Sequence, residues 1–339
     1  MKRAALILLL CIVAACSQDA TTALPEASVQ ASNSASHGFL AYVANFGSNS
    51  VSVIETGTNT VVATVAVGDR PQGVVITPKG DFAYVTNTAS DNVSVIETAT
   101  NTVVATVAVG DQPEGVAISP KGDFAYVTNT GSVCCPGPPL RTVSVIETST
   151  NVVVAAVEVG SNPVGVAVTP KGDFVYVTNA GSNNVSVIAT ATNTVVATVA
   201  VGSFPVRVAI TPKGDFAYVS DFGSNSVSVI ATSTNAVVAT VAVGGSPEGL
   251  DITPKGDFAY VTAGLDNVAV IETSTNTVAA TVAVGGRGVA ITPKGDFAYV
   301  TNPVSHNVSV IEISTNTVVA TVAVGTEPVG VAITPAKPK

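Results

Sequence analysis

Short apolar-rich bursts of five to eight residues run along the chain from about residue 39, each closed by Gly, Pro, Asn, Asp or Thr. Within a burst the side chains alternate with a period of two, as in strands, and nothing in them carries the 3.6-residue period of a helix. Around residue 90 the pattern predicts four strands, A to D: Gly73–Thr77, Phe82–Asn87, Asn92–Glu97 and Thr102–Val109. Pro78-Lys79-Gly80-Asp81 joins A to B, and Thr98-Ala99-Thr100-Asn101 joins C to D, both with the chemistry of tight turns. Four strands on short links form one antiparallel sheet. Strand D is almost continuously apolar, which predicts that neighbouring sheets cover both of its faces.

This unit recurs seven times. Its Tyr falls at 42, 84, 126, 176, 218, 260 and 299, a period near 40 interrupted once by an insertion and once by a deletion. Such a period of β-branched residues predicts a β-propeller, whereas a β-solenoid has shorter rungs. The first unit, Phe39-Leu40-Ala41-Tyr42-Val43, begins at strand B. The last, Gly330-Val331-Ala332-Ile333-Thr334, is strand A alone. Joining the two completes a sheet and removes the exposed edges of an open array. The expectation is an all-β, seven-bladed propeller over residues 38–335, built of four-stranded antiparallel blades and closed by the C-terminal strand completing the first blade.

Tyr-Val-Thr-Asn at 84–87, 126–129 and 176–179, with Val-Ser-Val-Ile-Glu-Thr, resembles the YVTN family of β-propeller repeats over residues 39–335. The resemblance implies the seven-bladed fold and an exported or cell-surface setting. Such repeats occur in surface-layer and adhesin-like proteins and in larger redox enzymes, so a fold of this kind does not by itself give a function.

Residues 1–15 differ from the rest. Lys2 and Arg3 precede an apolar run from Ala4 to Ala15, too short to span a bilayer and suited to an export signal. Val13-Ala14-Ala15-Cys16 resembles a bacterial lipobox, which implies a lipid on Cys16; cleavage after Ala15 by an ordinary signal peptidase is the alternative. Ser17 after that Cys favours outer-membrane sorting. Residues 16–37 have the composition of a flexible tether, and 336–339 form a short tail. Loss of Lys2 and Arg3 with the signal takes the net charge from −9 to −11. An acidic chain of this kind repels nucleic acid and anionic lipid heads, so membrane association is expected through the lipid alone.

Comparing the repeats separates two faces. Pro-Lys-Gly-Asp-Phe recurs six times at the A–B turn, while variation collects in the B–C and D–A loops at the opposite end of the strands. Arg70, Arg141, Arg207 and Arg287 all fall in or beside these variable loops, as do Phe46, Phe204 and Phe222. Binding chemistry usually sits on variable loops over a rigid frame. Blade five departs furthest: Arg207 replaces the Gly that opens strand A, and Asp221-Phe222 replaces Asn-Thr. Asp251 stands in the next blade where the repeat has Ala or Val, so Arg207 and Asp251 are expected to meet near the channel mouth, as a ligand anchor or as an inter-blade salt bridge. The candidate binding set is Phe46, Arg70, Phe204, Arg207, Asp221, Phe222, Glu248, Asp251 and Arg287.

The insertion in the third unit carries Cys134-Cys135. In an exported chain these form a vicinal disulfide, remain free thiols or link to another chain; neighbouring Cα atoms ~3.8 Å apart would strain the first. Catalytic chemistry is sparse. Two histidines, His37 and His306, cannot build a His-based metal site or a Ser-His-Asp triad, no Cys-x-x-Cys-His or phosphate-cradling motif occurs, and Trp is absent. Asp69, Asp111, Glu114, Glu248 and Glu327 could offer oxygens to calcium, but they belong to different blades. No catalytic residue, metal or cofactor is therefore assigned. The expectation is a monomeric, membrane-tethered envelope propeller that binds a protein or glycan through its B–C and D–A loops. The alternatives are an envelope lactonase or lyase using Asp221, Asp251 and Glu248, and a surface-layer component.

Overall fold

The computed structural model describes residues 38–131, 141–264 and 266–335. Cys16, the signal and tether segments, His37, Cys134, Cys135 and the 336–339 tail lie outside the described residues. Seven four-stranded antiparallel sheets make up the propeller. Strands are numbered in chain order, so that blade 2 is β4 (Pro71–Ile76), β5 (Phe82–Asn87), β6 (Asn92–Glu97) and β7 (Thr102–Ala108). Strands B and C match the sequence expectation to the residue; A begins two residues earlier, at Pro71.

Closure occurs as the repeat phase requires. β28 (Pro328–Ile333) pairs antiparallel with β1 (Leu40–Asn45), placing Ala41 opposite Ile333 and Tyr42 opposite Ala332. Leu40 N–H donates to Thr334 Oγ1 and Thr334 N–H donates to Leu40 O, each at 2.9 Å. The first and last segments thus share one sheet, in the order β28, β1, β2 (Ser50–Glu55), β3 (Thr60–Ala66).

Each word of the repeat makes a specific joint. Tyr on strand B is buried, and in every blade but the third its hydroxyl donates to the C–D-turn Asn of the next blade: Tyr42 to Asn101 at 2.7 Å, Tyr84 to Asn151 at 2.8 Å, Tyr218 to Asn276 at 2.6 Å. Tyr299 reaches Asn59 at 2.6 Å and carries the ring across the closure. The Thr two residues later bridges inner strands. Thr86 accepts from Gly73 N–H at 2.8 Å and donates to Glu114 O of the next blade at 2.7 Å. The following Asn stays within its own blade, where Asn87 Nδ2 donates to Asn92 Oδ1 and Ser94 Oγ at 2.7 and 2.9 Å.

Apolar packing follows the same plan. Tyr42, Val51, Val53 and Val65 of blade 1 pack on Ala83, Val85 and Ile96 of blade 2, and the motif repeats around the ring. The core is therefore a set of layers between blades, around an axial channel. Strand D departs from expectation. In Thr102–Ala108 only Val107 is buried, while Val104 is 51% exposed. Blades radiate from the axis, so the gap between neighbours widens outward and strand D fully buries one side chain, with Ala105 and Val109 only partly covered beside it.

Candidate functional site

The loop face is built on a repeated backbone device. At the tip of six D–A loops stands a non-glycine residue with positive φ: Arg70 (55°), Gln112 (52°), Asn162 (53°), Phe204 (53°), Ser246 (22°) and Glu327 (52°). Left-handed backbone costs an ordinary side chain about 1–2 kcal/mol. A B–C-loop residue offsets it: Asn49 Oδ1 accepts Arg70 N–H at 2.9 Å, Asp91 Oδ1 accepts Gln112 N–H at 2.8 Å and Asn183 Oδ1 accepts Phe204 N–H at 2.8 Å. His306 Nδ1 does the same for Glu327 N–H at 3.1 Å. The backbone is thus held by the loop behind it, and the tip side chain is free to differ from blade to blade.

Those tips carry the odd aromatics and cations. Phe204, 46% exposed, packs on Phe222 with ring centroids 5.9 Å apart at an angle of 57°. The Arg70 guanidinium lies 5.5 Å from the centre of the Phe46 ring, within cation–π range. These two patches belong to different blades.

Inside the ring the inner strands enclose a channel cavity of about 480 Å³, lined by Gly, Val, Ala and Ile, with Arg207 and Asp251 as its charged wall residues. Arg207 is the third residue of β16 (Pro205–Ile210) and Asp251 the fifth of β20 (Pro247–Ile252). The expected pairing is absent: no hydrogen bond or ion pair joins them. Two further residues along a strand put Asp251 roughly 6–7 Å deeper. Its Oδ1 accepts Ile252 N–H and its Oδ2 accepts Ile291 N–H, both at 2.8 Å. Ile291 ends β24 (Val289–Ile291), the inner strand shortened by the seventh-blade deletion, so Asp251 tethers that strand. Burial pushes the Asp251 carboxyl up to about 6, against the pull of those two N–H donors.

The charged neighbours of Arg207 stand at the mouth instead. Glu114, Glu248 and Arg287 occupy one repeat position, which in other blades is Gln72, Val164, Val206 or Val329. Arg287 Nε donates to Glu248 Oε2 at 2.8 Å. Burial raises the Glu114 carboxyl above its ordinary range, opposed first by Arg207 and then by Arg287. Burial likewise lowers the Arg207 guanidinium, and Glu114 is the main charge pushing it back up. Sequence reading missed this partnership; the signal was the shared repeat position of Glu114 and Glu248.

Asp221 is not on the surface. It is fully buried and accepts from Ser228 Oγ at 2.6 Å, at the position Asn takes in five other blades and Ala263 in blade 6, and burial pushes it up to about 6. Among the described residues no group of three His, Cys, Asp or Glu stands close enough to hold a metal ion.

Fold and mouth together define a seven-bladed β-propeller with one patterned turn face and one variable loop face. The chain belongs to the YNCE-like β-propeller family, whose model matches residues 2–339. No curated protein compared with the chain matches it. Among solved structures it is similar to hydrazine synthase of Kuenenia stuttgartiensis, with 24% identity and a TM-score of 0.70 over 78% of this chain and 90% of that one. A functionally unknown protein from Desulfotomaculum acetoxidans DSM 771 aligns with 20% identity and a TM-score of 0.77, over 87% of this chain and 99% of that one. Dihydro-heme d1 dehydrogenase NirN in complex with DHE aligns with 14% identity and a TM-score of 0.65, over 86% and 74%. At these identities the likeness is one of fold.

Proposed function

We propose that the protein is a non-catalytic binding scaffold of the bacterial cell envelope, tethered through a lipidated Cys16, that engages a protein or glycan partner with its B–C and D–A loop face. The observation that supports it most is the row of strained D–A tips. Five turns share a φ of 52–55° and present Arg, Gln, Asn, Phe and Glu, and a sixth carries Ser246 at 22°. Keeping a costly geometry while varying the side chain is the economy of a recognition surface on a rigid frame. The Phe204–Phe222 and Arg70–Phe46 patches add aromatic and cationic anchors of the kind that dominate interface energetics. The resemblance to YVTN repeats, the lipobox and the tether composition support the envelope setting.

The lactonase or lyase alternative needs Asp221, Asp251 and Glu248 to converge. In the fold Asp221 is buried in its blade, Asp251 is bonded to two backbone N–H groups, and Glu248 is paired with Arg287. The test is capture of envelope components by the purified full chain, with Phe204→Ser/Phe222→Ser and Arg70→Ser as variants. Loss of capture by these variants, with Lys121→Ser on the turn face unaffected, is the expected result. Equal capture by all would remove the loop face from consideration.

A further inference from the structure

We infer that the loop-face mouth of the channel is a site for a small zwitterion with an apolar body, of the α-amino acid or short-peptide class. The inference deepens the binding-face reading and rests on it.

Arg207 is an expensive residue at its position. The other six blades have Gly there, and a Cβ on Gly115, Gly165 or Gly330 would lie 2.2–2.4 Å from a backbone carbonyl of the next blade. Blade 5 keeps the register of blade 2 on either side, Pro205 opposite Asp221 and Val208 opposite Val219. Between them Arg207 pairs with Ser220, its N–H donating to Ser220 Oγ at 3.0 Å as Gly73 N–H does to Thr86 Oγ1 at 2.8 Å. Ser220 itself replaces the bridging Thr and still donates to Glu248 O at 2.8 Å. Three linked departures (Arg207, Ser220, Asp221) put one guanidinium at the channel wall.

Among the described residues that guanidinium has no hydrogen-bond or ion-pair partner, and neither has the Glu114 carboxylate. Each feels the other as its strongest charged neighbour, without contact. Arg287 and Glu248 answer one another at 2.8 Å, which leaves Arg207 and Glu114 as the uncommitted pair. A guanidinium fork suits a carboxylate, and a part-buried carboxylate suits an ammonium. Between them blade 4 offers only Val164 and Gly165, and below lie the Val, Ala and Ile walls of a cavity of about 480 Å³, a volume suited to small ligands. A zwitterion meets both charges and brings no net charge to a chain of net charge −9, which would repel a simple anion. Asp251, deeper in the wall, disfavours an acidic side chain.

Calorimetric titration of the full chain with L-leucine tests this, alongside isocaproate (no ammonium), leucinamide (no carboxylate), L-glutamate and leucyl-leucine. Leucine should bind saturably, with isocaproate, leucinamide and glutamate each weaker by about tenfold or more. Arg207→Gly and Glu114→Gln copy residues that the repeat itself carries at those positions. Arg207→Gly should abolish the preference for leucine over leucinamide, and Glu114→Gln the preference over isocaproate. Tighter binding of leucine than of leucyl-leucine assigns a free amino acid, and the reverse assigns a peptide. Isocaproate binding as well as leucine, or no leucine binding at millimolar concentration, overturns the inference. If partner capture through Phe204 and Phe222 persists in that case, the loop-face reading stands without it; if capture fails while leucine binds, the mouth site stands and the wider face falls.

Discussion

Blade 2 and blade 5 are built from the same words, and three of the positions at which they differ meet at the inner strand. Gly73, Thr86 and Asn87 of blade 2 correspond to Arg207, Ser220 and Asp221 of blade 5. In blade 2 the Gly lets the next inner strand approach, since a Cβ there would meet Glu114 O at 2.4 Å. In blade 5 the same joint carries a long charged side chain on the channel wall, in an unchanged register. The outer parts of the two blades are alike: Tyr84 and Tyr218 each bond an Asn of the next blade. The inter-blade joint is thus common, and the differences gather at the loop face and at the inner strand beneath it. Chemistry enters a repeat fold where one unit gives up a packing rule.

Moving the blade 5 residue into blade 2 should break the fold. Gly73→Arg forces a Cβ against the Glu114 carbonyl, and should cost about 3 kcal/mol or more. The reciprocal Arg207→Gly should keep the folded ring, and urea midpoints compare the two. Next comes Asp221. Its folded carboxyl titrates near 6 against 3.8 unfolded, so it favours the native state at low pH and loses that contribution as pH rises through about 6. Asp221→Asn, which restores the blade 2 residue, should stabilise at pH ~7 by up to about 3 kcal/mol and flatten the acid limb of the stability profile. Asp251 titrates in the same direction and leaves some slope behind.

Smaller effects test whether the frame is shared. Tyr84→Phe and Tyr218→Phe should each cost about 1 kcal/mol, equal within error, because each removes one buried inter-blade bond. Blade 1 has Ala44 where blade 2 has the bridging Thr86. Ala44→Thr should add a hydroxyl between Gly330 N–H and Gln72 O and stabilise by about 0.5–1 kcal/mol, read as a small rise in melting temperature.

How much of this was legible in the sequence depended on what each residue contacts. Strands B and C lie in the middle of each sheet, where alternation reports burial directly, and their limits agree with the fold. Closure could be read because the repeat phase at Tyr42 and at Val331 is a local property. Strand D misled because Thr102–Ala108 is apolar yet outermost, and composition does not record the distance from an axis. At the site, Arg207 announced itself by replacing Gly, but its neighbour did not. Glu114 is two blades away, and only the ring brings that position to the mouth. Asp251 looked like its partner because the two are close in repeat register. A depth difference of two residues, and the shortened strand at Ile291, gave Asp251 a different task.

The central claim is that recognition belongs to the D–A and B–C loops, on a frame whose other face is uniform. Hydrogen-exchange footprinting of the full chain, alone and bound to its captured envelope component, tests it most directly. Protection confined to peptides around Arg70, Phe204, Phe222 and Arg287 is the predicted outcome. Protection of the Pro-Lys-Gly-Asp turns around Lys79 and Lys255, with the loop peptides unchanged, would contradict it.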